Sequence, residues 1–112
     1  MTLEEAGKRF EVSMNVLERY ISFGFIREAE PNSVPVQYVD SDFDRLGLIS
    51  TLLSAGFTPE ETKKYLLLTE NRVDDEEEIR MLRKQRRTLM NDIHKKQQLL
   101  DHLDYMIFEK KK

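Results

Sequence analysis

His94 and His102 are the only two histidines of this 112-residue chain. They stand eight residues apart in a stretch of helical periodicity. That places them about 12 Å apart along one helix, too far to share one ion. The acidic run Asp74 to Glu78 lacks the alternating ligands and central glycine of a calcium loop and reads as the acidic start of a helix. Asp42 and Asp44 form an acid pair that helix-cap and surface roles account for. There are no cysteines, which excludes thiolate metal sites, thiol catalysis and disulfides. The four glycines, Gly7, Gly24, Gly47 and Gly56, are dispersed and make no phosphate loop. The chain is expected to be no enzyme, with no cofactor and no metal.

Basic residues number 18 and acidic residues 21. The formal net charge of −3 does not advertise a nucleic-acid binder. The charge is also uneven, with residues 1–74 at net −5 and residues 75–112 at net +2. No apolar run approaches membrane-spanning length. The start is acidic, without a signal segment. These features lead to the expectation of a cytoplasmic protein.

Thr2 caps a first helix bearing Leu3, Ala6 and Phe10 on one face, with Glu5 placed to complete a capping box. Ser13 caps a second, Met14 to Phe23, whose Val16, Leu17, Tyr20 and Ile21 share a face. Gly24 ends it. Only Glu11-Val12-Ser13 separates the two, the tight join of a helix-turn-helix. Phe25-Ile26 and Val34 to Val39 flank a turn at Glu30 to Ser33, which predicts a two-stranded wing with Pro35 on an edge strand, the alternative being a plain loop. Asp40, Ser41 or Asp42 is the expected cap of a single third helix through Phe43, Leu46, Ile49, Leu52 and Leu53. Thr58-Pro59-Glu60-Glu61 starts a fourth, which carries Thr62, Tyr65 and Leu66 and stops near Asn71.

The last segment differs in kind. Ile79, Leu82, Leu89, Ile93, Leu100, Leu103 and Ile107 are spaced 3, 7, 4, 7, 3 and 4 apart. Arg86 and Lys96 fill the missing steps of this heptad pattern. No glycine or proline occurs from Asn71 to the end. Acids at Asp75 to Glu78 and lysines at 110 to 112 suit the two ends of one helix. A helix of roughly 30 residues spans about 45 Å. Its stripe would stay wet beyond so small a head, so a dimer is expected.

The order of these pieces carries a resemblance. Val12-Ser13, Val16-Leu17-Glu18-Arg19-Tyr20-Ile21 and Gly24-Phe25-Ile26 come first. Val36-Gln37-Tyr38, Asp42-Phe43-Asp44-Arg45-Leu46 and Gly56-Phe57-Thr58-Pro59-Glu60-Glu61-Thr62 follow in order. Residues 1–70 resemble the head of the mercury-resistance regulator (MerR-like) family of bacterial transcription factors. The resemblance implies a mainly α fold: a winged helix-turn-helix head over 1–70, a coiled-coil dimerisation helix over 75–108 and a basic tail at 109–112. It implies an antiparallel homodimer that binds an inverted repeat in double-stranded DNA. Such a dimer distorts the promoter and so reaches RNA polymerase indirectly. With almost nothing after Phe108, the chain looks like a member without a separate effector domain, or a shortened one.

On this reading the DNA-binding candidates are Lys8, Arg9, Ser13, Asn15, Glu18, Arg19, Arg27 and Tyr38. The family's arginine positions fall on Asn15, Glu18 and Val36. Asn15 can still pair with adenine, and Glu18 can accept from a cytosine amino group. Tyr38 matches the family's wing tyrosine. The alternative is a winged-helix dimer without strong DNA binding that acts on other proteins or antagonises a related regulator.

Overall fold

The computed structural model describes residues 1–72 and 75–112. Asp74, the first acid of the acidic run, lies outside them. The described residues form helices α1 (Leu3–Phe10), α2 (Met14–Ser22), α3 (Asp40–Phe43), α4 (Leu46–Ser54), α5 (Pro59–Asn71) and α6 (Asp75–Lys111).

Local signals set most of the boundaries. Thr2 Oγ1 accepts from the Glu5 amide at 3.2 Å, although Glu5 makes no return bond. Glu11 closes α1 in the left-handed region at φ 53°. Ser13 Oγ accepts from the Val16 amide at 3.3 Å and opens α2. At α5 the capping box is complete, with Thr58 and Glu61 each bonding the other's backbone amide. Such caps supply partners for amides that have none inside the helix.

Two expectations need correction. The single third helix is broken: α3 ends at Phe43 and α4 begins at Leu46. Val39, not an aspartate, is the N-cap of α3, and it offers no side-chain bond. The reason is that Asp42 is buried and bonded elsewhere. Arg45 folds back on it at 3.1 Å, which holds the chain in a turn between the two helices. The expected two-stranded wing is also thinner than a ribbon. Arg27 O accepts from the Val39 amide and the Ala29 amide donates to Gln37 O, around one antiparallel bridge from Glu28 to Tyr38. No longer strand occurs among the described residues. Pro35 has no amide to lend to a ladder, and Val34 beside it is 95% exposed.

The core gathers Ala6, Leu17, Tyr20, Phe25, Ile26, Phe43, Leu46, Ile49 and Leu66. Each large apolar side chain removed from water here contributes about 1.5–3 kcal/mol. A second cluster joins Leu52, Phe57 and Tyr65, with Leu48 and Met81 against it. Met81 belongs to α6, so this cluster seats the start of the long helix on the head. Gln85 adds a bond from its Nε2 to Ala55 O at 2.7 Å.

Beyond that seat α6 runs free of the head. Its 37 residues span about 55 Å. The expected basic tail is part of the helix as far as Lys111. No described residue of α6 is buried. The radius of gyration is 19.8 Å, against about 13 Å for a compact chain of this length.

Candidate nucleic-acid interface

Ala6 of α1 and Leu17 of α2 are both fully buried. Their contact side fixes which side of α2 is left to solvent. Leu17 and Tyr20 face inward, so Asn15, Glu18, Arg19 and Ser22 face outward. These four positions repeat at helical spacing and make one exposed ridge. The fold thus brings together three nominated residues, Asn15, Glu18 and Arg19. Ser22 joins them, with its hydroxyl donating to Arg19 O at 2.7 Å. Among the described residues, Glu18 and Arg19 make no ion pair.

Ser13 stands at the head of this ridge. Its oxygen is spent as a helix cap, while its hydroxyl proton remains to be donated. Lys8 lies across the join, on the rim of an open groove of about 540 Å³ between α1 and the wing. Thr2, Glu5, Met14, Val36 and Tyr38 line the same groove. Tyr38 is half-buried against the core, and its amide donates to Met1 O at 2.8 Å. Arg9 sits over the Phe10 ring, 5.5 Å from its centroid. That is cation–π distance and shares its charge with the ring.

Arg27 is half exposed but tied to carboxylates of its own chain. Its Nε and one terminal nitrogen meet the two Asp42 oxygens at 3.0 and 2.9 Å. It also reaches Glu70 at 3.3 Å. The paired carboxylate stabilises its positive charge and drives its pKa further up. Burial by itself pushes the Asp42 carboxyl up. The hydrogen bonds from the Arg27 side chain and amide and the charges of Arg27 and Arg45 outweigh that, and hold it below its usual range. Asp42 therefore ties the wing base to α3. The sequence signal that could have found it is Arg45 three residues on; Arg27 lies fifteen residues away in the chain.

The acids of the head are not all loose. Asp40 holds the N-terminal amine at 2.9 Å and Asp42 is neutralised as described. Glu18 and Asp44 remain exposed. His94 and His102 stand exposed on α6, and no cluster of metal-ligating side chains occurs among the described residues. None of the described helices is long and apolar enough to cross a membrane.

Two short helices at a tight join, a hairpin beside them and an outward ridge on the second helix define a helix-turn-helix regulator. Residues 1–69 match the family model described as MerR HTH family regulatory protein, and the chain belongs to that family. Its members are transcriptional regulators that bind DNA and are generally not enzymes. No curated protein and no solved structure matches the chain.

Proposed function

We propose that this chain regulates transcription as an antiparallel homodimer bound to an inverted-repeat promoter site. In this reading α2 lies in the major groove, α6 joins the two heads as a coiled coil, and the hairpin serves as the wing. RNA polymerase is reached indirectly, through the shape imposed on the DNA, and the work is done in the cytoplasm. The observation that carries the reading is the exposed ridge of α2 on a head of this family. Asn15 suits adenine and Glu18 suits the cytosine amino group. Arg19 and Lys8 suit phosphate, and Ser13 can donate to it. Arg27 contributes little, because two carboxylates already share its charge.

A second reading is favoured by Glu18. An exposed carboxylate that makes no ion pair among the described residues repels phosphate and suits a partner protein with donors to offer. The dimer would then act by docking on another protein or by antagonising a related regulator.

Titrating binding to duplex DNA against salt separates the two. The first reading predicts binding whose logarithm falls linearly with log salt, by about 0.9 per phosphate neutralised. Absence of binding at low salt would contradict it and leave the second reading.

A further inference from the structure

Arg86 and Lys96 interrupt the apolar stripe of α6, and they restrict how two such helices can lie together. In a parallel pair each stripe residue meets its own copy. Arg86 would face the partner's Arg86 and Lys96 the partner's Lys96, inside a seam that excludes water. In an antiparallel pair the stripe residues meet in mixed layers, and a slide of one heptad changes every contact.

Three successive alignments can be compared. The first sets Arg86 against the partner's Lys96. It also brings Glu76 beside the partner's Asp104, and Asp92 beside the partner's Asp92. The third brings Arg83 beside the partner's Lys111. The alignment between them has none of these repulsions. Its layers pair Leu82 with the partner's Ile107, Arg86 with the partner's Leu103, Leu89 with the partner's Leu100, and Ile93 with the partner's Lys96. On its flanks Arg83 lies beside the partner's Asp104, and Glu76 beside the partner's Lys111. Lys96 emerges next to the partner's Asp92. A two-fold axis repeats each contact.

We propose that the charges of α6 select this one antiparallel register with a second copy of the chain, through Arg83 with the partner's Asp104 and Glu76 with the partner's Lys111. The inference rests on the dimer reading above and goes beyond it. The stripe it covers is open: Leu89 is 43% and Leu100 51% exposed. Arg83, Asp104 and Lys111 are exposed and make no ion pair among the described residues. Flanking charges of this kind decide partner and orientation in paired helices while adding little to bulk stability. Register has a consequence for DNA. A slide of one heptad moves the heads by about 10 Å, roughly three base pairs. The charges would therefore set the half-site spacing.

The test uses the full chain and two charge reversals, Arg83→Glu and Asp104→Arg, with the dimer dissociation constant read by sedimentation. Each variant alone should dimerise about ten-fold more weakly than the parent, because like charges then face each other twice. An equimolar mixture should regain the parent's affinity, since the new carboxylate meets the new guanidinium and the native pair survives on the other flank. The chain has no cysteine, so Leu89→Cys with Leu100→Cys should oxidise to a covalent dimer, whereas Leu89→Cys with Ile93→Cys should not. Parent-like affinity of both single variants, or a mixture no tighter than they are, would overturn the register while leaving the dimer. A covalent dimer from the second cysteine pair would do the same. A monomeric parent would overturn both.

Discussion

Asp42 shows how one side chain can hold several elements. It accepts from the Arg27 amide, the Arg27 guanidinium and Arg45, and Arg27 also touches Glu70 at the end of α5. Removing the carboxylate would leave Arg45 without its partner and the Arg27 amide unsatisfied. Asp42→Ala is therefore expected to lower stability by about 3 kcal/mol, discounted within the range for buried pairs because Arg27 is half exposed. A urea titration measures it. The pH dependence follows from the same bonds. The folded pKa of Asp42 lies below its ordinary 3.8. Its contribution is complete above that value and is lost as pH falls through the lowered one. Unfolding followed between pH 5 and 2 should show a loss on the acid side that Asp42→Ala lacks. At the interface, Arg19→Ala should weaken DNA binding across all sequences and reduce the salt slope by about 1. Binding equal to the parent would remove Arg19 from the site. Of the nominated residues, the ridge of α2 was readable because helical spacing is local. Arg27 reads from the sequence as a phosphate-binding candidate, because its partners Asp42 and Glu70 lie in distant parts of the chain.

Among the elements, legibility followed the range of the forces. Caps at Ser13 and Thr58 act over three residues, so their types and spacing predict them. Thr58→Ala should destabilise the head by about 1 kcal/mol, measured by thermal unfolding, since it removes the hydroxyl that accepts from the Glu61 amide and leaves only the other half of the capping box. The break between α3 and α4 was not readable. Phe43, Leu46, Ile49 and Leu52 fit one helix by period, and the interruption comes from Arg45 turning back to the buried Asp42. The wing falls short of a ribbon for a related reason. Alternating residue types mark extended chain, but ladder bonds need a donor at each paired position, and Pro35 has none.

At the scale of the whole molecule the unbalanced feature is α6. The head has a core and closed caps, whereas the helix leaves Leu99, Leu100, Leu103, Met106, Ile107 and Phe108 more than half exposed. So long an apolar face is not stable in water alone. A second copy would cover it and place two α2 ridges on one rigid frame, which is what a symmetric DNA site requires. Sedimentation equilibrium of the full chain at micromolar concentration tests this most directly. The account predicts the mass of two chains for the parent and of one chain for Leu89→Asp or Leu100→Asp, whose carboxylate would be buried unpaired. A parent that sediments as a single chain, or a substituted chain that keeps the doubled mass, would contradict it.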